Sequence, residues 1–192
     1  MSSPEGEYYT EERWQNWIER LTSEEIDLEE EDSGRLLQNF QDDTVIAIAK
    51  IVADYDDGEI DEETALSELA DVRDIVLDEI ELEDENTLML VNAVQTALVC
   101  VFYAAEEFIV NDVPDTTIEQ FIDAALDAEA EEDYETALGY CAQAGTRILA
   151  GEDLPPSVGE KIDYGPVADW VTGLRSIQMA MADPEVVEPD EE

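Results

Sequence analysis

Apolar side chains recur every three to four positions along nearly the whole chain, and the alternation that marks strands hardly occurs. Only helices can bury stripes spaced this way. Trp14, Trp17, Ile18 and Leu21 predict a first helix over about 9–22. Leu37, Phe40, Thr44, Ile48, Ile51 and Tyr55 predict a second over about 33–55, stopped at Asp57-Gly58, where glycine can take the left-handed conformation of a helix end. Asp61 caps a third, with Ala65, Leu69, Val72, Val76 and Ile80 as its buried line, and Asp84 with Thr87 opens a fourth that ends near Asn111. Val113-Pro114-Asp115 reads as a stop followed by a fresh cap. Ile118, Phe121, Ile122 and Ala125 then stripe a fifth helix, which breaks at the acidic run 129–133. A sixth carries Tyr134, Ala137, Leu138, Cys141, Ala144 and Ile148 and ends at Gly151. Residues 154–159 form a proline-rich loop, and Pro166, tolerated in a first helical turn, leads Val167, Trp170, Val171, Leu174, Ile177 and Met181 into a last helix.

The fold class that follows is all-α, a compact bundle of about seven helices. No single amphipathic helix buries its stripe alone, so the uniformly apolar fourth helix is the expected centre of one domain over 1–182. The helix within 1–22, tethered by the charged linker 23–32, is able to dock separately. The tail 183–192, acidic and proline-bearing, is expected to be disordered.

Charge sets the environment. The chain carries 53 acidic residues against 8 basic ones and no histidine, a formal net charge of -45. Lysine is nearly absent, with only Lys50 and Lys161, so the carboxylates read as the hydrated coat of a protein in a very salty cytosol. At about 1 M salt the Debye length is about 3 Å, which screens a self-repulsion that dilute buffer would leave in force. Nucleic acid is excluded as a partner, because its binding rests on a basic patch and no window supplies one. Residues 1–7 lack the basic and apolar regions of a signal peptide, and the expected location is the cytoplasm.

Residues 88–105 run for eighteen positions without a charge, just the length of a membrane span. Asn92, Gln95 and Thr96 interrupt the run, Glu106 and Glu107 close it, and no Lys/Arg asymmetry orients it, so a buried central helix is expected and no membrane. Cys100 and Cys141 fall inside apolar helical patterns and read as buried free thiols. Without histidine there is no His-based triad, HExxH zinc site or Glu-x-x-His di-iron site, and no cofactor is expected.

Three local motifs carry chemistry that can be weighed. Residues 54–63 invite a calcium-loop reading, but with Gly58 at position six, positions one, three and twelve become Ala53, Tyr55 and Thr64, which cannot build the cage. Glu68 and Asp71, one helical turn apart, resemble half of the metal site of the all-α nucleotide pyrophosphohydrolases of the MazG type. That resemblance implies Mg²⁺ between two carboxylate pairs, and the nearest partner pair is Asp54 with Asp57 at a helix end. The run Glu132-Asp133-Tyr134-Glu135-Thr136-Ala137-Leu138, with Ala144 after it and Phe121 and Ala125 before it, resembles one tetratricopeptide hairpin, and no second copy appears.

From Glu7-Tyr8-Tyr9-Thr10-Glu11-Glu12-Arg13-Trp14, through Gln41-Asp42-Asp43-Thr44-Val45-Ile46-Ala47-Ile48-Ala49-Lys50, to Asp56-Asp57-Gly58, the chain also resembles a family of acidic haloarchaeal proteins of unknown function. The resemblance spans nearly the whole length and implies no activity, ligand or catalytic residue. Tyr8, Tyr9, Trp14 and Trp17 cluster near one end, where they either close a core or anchor a partner or a second copy. The function expected from these readings is a non-enzymatic helical protein that works through protein contacts. The alternative is a Mg²⁺-dependent pyrophosphohydrolase using Glu68 and Asp71.

Overall fold

A computed structural model describes residues 8–24 and 29–182. Every regular element among the described residues is a helix. They are α1 (Glu11–Ser23), α2 (Glu31–Asp56), α3 (Glu62–Val76), α4 (Glu85–Val110), α5 (Ile118–Ala130), α6 (Tyr134–Leu149), α7 (Pro156–Glu160) and α8 (Pro166–Ala182). The count exceeds the sequence reading by the short α7, which lies inside the expected proline-rich loop. Pro155 and Pro156 preset its first turn, and Val158 drops into the core. The expected tail 183–192 lies outside the described residues.

Local side-chain chemistry sets most helix starts. Thr10, Asp61, Asp84 and Asp133 each accept a hydrogen bond from a backbone N–H three residues on, satisfying donors that the first turn leaves unpaired. The start of α5 corrects the sequence reading. Thr117, not Asp115, is the cap, because its hydroxyl accepts from Gln120 N at 3.3 Å while the Gln120 side chain accepts from Thr117 N at 3.3 Å. Asp115 lies two residues too early to reach those amides. Gly58 and Gly151 close α2 and α6 with φ of 76° and 103°, the left-handed conformation expected at those helix ends. Helix α3 ends at Val76, so Ile80 packs from the connecting segment and not from the helix.

The buried apolar side chains form one contiguous cluster that draws on all eight helices. Phe40, Phe102, Leu69, Leu98 and Leu174 are almost fully buried, each contributing about 2–3 kcal/mol from surface removed from water. Helix α4 is the hub and packs against α2, α3, α6 and α8. Two glycines let its neighbours come close. A Cβ on Gly145 would stand 2.5 Å from Ala104 Cβ, and one on Gly173 would stand 2.6 Å from the Ala97 carbonyl oxygen. The hub is not buried all round, however. Met89, Tyr103 and Val110 are 67%, 50% and 54% exposed along one edge of α4.

A polar seam joins α2 to α8, where the buried Gln41 Nε2 donates to Ser176 Oγ at 2.8 Å and to the Thr172 carbonyl at 3.3 Å. Beside it the Asp42 carboxyl has one buried oxygen, Oδ1, without a hydrogen-bond partner. Burial pushes this carboxyl above the usual carboxylate range, and the nearby Ser176 hydroxyl offsets only part of that. A raised folded pKa means that the acid form suits the fold. Stability from it is complete below the unfolded carboxyl range and falls away as pH rises through the raised value. Asp42→Asn is therefore expected to stabilise the protein at neutral pH, with the gain shrinking toward about pH 4, where the wild-type carboxyl also becomes neutral. Urea unfolding at the two pH values in concentrated KCl measures this. An Asp42→Asn chain no more stable than wild type at pH 7 would refute it.

Candidate functional site

The aromatic residues of the N-terminal helix face inward. Trp14 is 2% exposed and Tyr9 4% exposed, and the rings of Trp14 and Trp17 lie 4.8 and 5.7 Å from that of Phe40 on α2. Polar contacts complete the attachment at Asp43, itself 2% exposed. Its Oδ2 accepts from Arg13 Nε at 2.7 Å and from Trp17 Nε1 at 2.9 Å, and its Oδ1 accepts from Arg13 Nη2. A bidentate guanidinium and an indole N–H thus compensate a carboxylate withdrawn from water. The Arg13 guanidinium also sits 5.5 Å from the Tyr9 ring centroid. Tyr8 donates its phenol hydrogen to Asp54 Oδ2 at the far end of α2. Of the four residues expected to meet a partner, only Tyr8 and Trp17 keep partial exposure. Their burial depends on Phe40 and Asp43, more than twenty residues away in sequence, so the local pattern alone did not reveal which way they point.

Glu68 and Asp71 lie one turn apart on α3, as their spacing requires, with Glu68 half-buried and Asp71 exposed. Tyr8 stands over this region. Its own burial, followed by the hydrogen bond to Asp54 and the charges of Asp54, Glu68 and Glu59, pushes the phenol pKa upward. Asp54 is thereby engaged by a phenol, while Asp57 caps the end of α2 as an exposed residue. Among the described residues no three or more Cys, Asp or Glu side chains gather in an arrangement that could hold a metal ion. Asp54, Asp57, Glu68 and Asp71 are accordingly not assembled as one cage. Cys100 and Cys141 are both free and buried; burial drives both thiols upward, Cys141 to about 12, which makes them poor nucleophiles near neutrality.

Two surface regions depart from the acidic coat. The first is the open edge of α4, where Met89, Ala93, Thr96, Val99 and Tyr103 follow one another at helical spacing, exposed or half-exposed and without a charge. The uncharged run 88–105 signalled it, but the sequence reading spent the whole run on the core. Helix α4 has a mean hydropathy of 1.9 over its most apolar window, half of it buried in the bundle, and is the one described helix long and apolar enough to cross a membrane. The second region is the α2–α8 seam. There, clefts of about 360 and 100 Å³ are lined without a single carboxylate. By contrast, the 420 Å³ cleft between α1 and the end of α3 carries Glu11, Asp74, Asp78, Glu79 and Glu81.

Fold and surface together define an all-helical bundle whose apolar stripes share one core under a carboxylate coat. The chain belongs to a family described as an uncharacterised protein conserved in archaea (DUF2150), whose model matches residues 7–190. No curated protein and no solved structure matches the chain.

Proposed function

We propose that this is a non-enzymatic protein of a salt-rich archaeal cytoplasm that works through protein contacts, and that its α4 edge is the face for a second copy. The uncharged exposed stripe from Met89 to Tyr103 supports this reading. Two molecules of charge -45 repel over most of their surfaces. Only a face free of carboxylates lets them meet without stripping water from like charges. A two-fold pairing of α4 with its symmetry mate sets Tyr103 and Met89, 50% and 67% exposed alone, against apolar partners. The stripe is a single helix edge about 20 Å long and so covers only on the order of 200–300 Å², short of the roughly 800 Å² per partner of a standard interface, and the association expected is weak and micromolar.

Sedimentation equilibrium in about 2 M KCl, where screening is nearly complete, tests this. The wild-type chain is expected to dimerise, and a Met89→Glu, Tyr103→Glu double variant to remain monomeric with an unchanged far-ultraviolet spectrum. A wild-type monomer at about 100 μM, well above that affinity range, ends the self-association reading. The pyrophosphohydrolase alternative rests on the Glu68 and Asp71 spacing alone, and turnover of nucleoside triphosphates with Mg²⁺ is its test.

A further inference from the structure

Helix α4 carries its exposed stripe between two carboxylates. At about 100° per residue, Glu85, Met89, Asn92, Thr96, Tyr103 and Glu107 fall within roughly one 60° sector of the helix. Glu85, Met89, Asn92 and Tyr103 are exposed there, and Thr96 and Glu107 are half-buried. Thr96 stands at the midpoint, seven residues after Met89 and seven before Tyr103. Glu106, off this line, is neutralised by Arg73 of α3, whose Nη1 donates to its Oε1 at 2.6 Å. Glu107 has no such help. Its Oε2 accepts from the side-chain amides of Gln143 on α6 and of Asn111, both at 3.0 Å, so two neutral groups fix the carboxylate without cancelling its charge. Neither Glu107 nor Glu85 forms an ion pair among the described residues.

The inference rests on α4 as the self-association face and concerns how that face is regulated. A two-fold axis crossing the stripe at Thr96 runs the two α4 helices antiparallel. It sets Met89 of each copy on Tyr103 of the other, two thioether contacts with an aromatic ring, and it opposes the two helix dipoles. A parallel pairing would stack Met89 on Met89 and Tyr103 on Tyr103 and align the dipoles. In the antiparallel register Glu85 of each copy meets Glu107 of the other, so a like-charged pair stands at each end of the apolar contact. We propose that these two Glu85–Glu107 pairs make the dimer a salt gate, closed to association in dilute salt and open to it near molar salt. Across helix axes about 8–10 Å apart, such carboxylates come within roughly 6 Å of each other. The Debye length is about 5 Å at 0.4 M salt and about 2 Å at 2 M, so their repulsion acts at the lower concentration and is nearly gone at the higher.

Sedimentation equilibrium of the full chain at about 0.4 M and about 2 M KCl, with folding followed by far-ultraviolet circular dichroism, compares two double variants of equal net charge. Glu85→Gln with Glu107→Gln removes the facing carboxylates and leaves a glutamine oxygen for Gln143 and Asn111. Glu19→Gln with Asp127→Asn removes two exposed carboxylates from α1 and α5, which are not among the main neighbours of α4. The first variant is expected to associate about fivefold or more tightly than wild type at about 0.4 M and less than twofold more tightly at about 2 M. The second should match wild type within about twofold at both. Glu85→Gln alone breaks both pairs and serves if Glu107→Gln disturbs the fold. Register is read from single new cysteines, because Cys100 and Cys141 are buried. Under a mild disulfide-forming oxidant at high salt, Thr96→Cys is expected to cross-link into dimers. Met89→Cys is not, since its two copies stand about 21 Å apart in the antiparallel register. The proposal is overturned by an equal salt response of the two double variants, by a Met89→Cys dimer, or by a Thr96→Cys chain that fails to cross-link. With wild type still dimeric at high salt, each of these results leaves the self-association face standing. A wild-type monomer at high salt removes the face and the gate together.

Discussion

Transfer from about 2 M KCl to about 10 mM salt is expected to unfold the protein outright. A folded chain of this length has a radius of gyration of about 16 Å. At 10 mM the Debye length is about 30 Å, so every carboxylate feels every other, whereas at 1 M it is about 3 Å and only neighbours interact. With 53 acidic and 8 basic residues, the charging energy of the compact state is on the order of 100 kcal/mol at low salt and a few tens at high salt. Expansion relieves part of it. Even a tenth of the difference rivals the roughly 5–15 kcal/mol that holds an ordinary domain together. The ion pairs do not alter the outcome, because most are at the surface, where such pairs contribute about 1 kcal/mol or less. Two signals follow the transition: fluorescence of the buried Trp14 and Trp170, and reaction of Cys100 and Cys141 with a thiol reagent, both thiols being sealed in the folded state. Native fluorescence and silent thiols in salt-free water would show that the coat is not what limits this fold.

The second large effect concerns a single methyl group placed at two glycines with opposite results. Gly173→Ala sets a Cβ 2.6 Å from the Ala97 carbonyl oxygen and 3.0 Å from Val101 Cγ2, and the first of these is backbone at the centre of α4. Neither can step aside without moving α8 off the hub, so a loss of about 3 kcal/mol is expected. Gly139 lies on the exposed side of α6 with nothing within 4 Å of its would-be Cβ. There Gly139→Ala trades a flexible helix-interior residue for the best helix former and is expected to gain about 1 kcal/mol. Urea unfolding of both variants in concentrated KCl gives the two signs directly. A Gly173→Ala chain as stable as wild type would mean that α4 and α8 do not approach as closely as described.

The elements that sequence reading located best are those governed by near neighbours. Asp61 and Asp84 announce α3 and α4 because a cap acts within three residues, and Gly58 and Gly151 end α2 and α6 because only the backbone there needs a positive φ. Thr117 could have been found from the Gln120 three positions on, but the Val113-Pro114-Asp115 punctuation drew the cap to the wrong residue. What stayed hidden depends on distant partners. Nothing near Trp14 discloses that Phe40 will meet it, and nothing near Arg13 discloses the buried carboxylate of Asp43. The eighteen uncharged residues of α4 marked a central helix correctly, and Asn92 and Thr96 within them, exposed and half-exposed, marked the edge its neighbours leave open, a signal passed over when the whole run was assigned to the core. The α2–α8 seam is the extreme case, since its walls lie some 130 residues apart in sequence.

That separation bears on how the molecule comes into being. Helix α8 presses on α4, α6 and α2 at once and covers part of the buried side of each. While the ribosome is still decoding the earlier helices, their inward faces have only one another, and the slot that Trp170, Leu174 and Ile177 will fill stays open. Closure therefore waits until α8, which follows the seven other described helices in the chain, has been translated. Until then the nascent chain must be kept in solution by its own carboxylates, or by whatever covers those waiting faces.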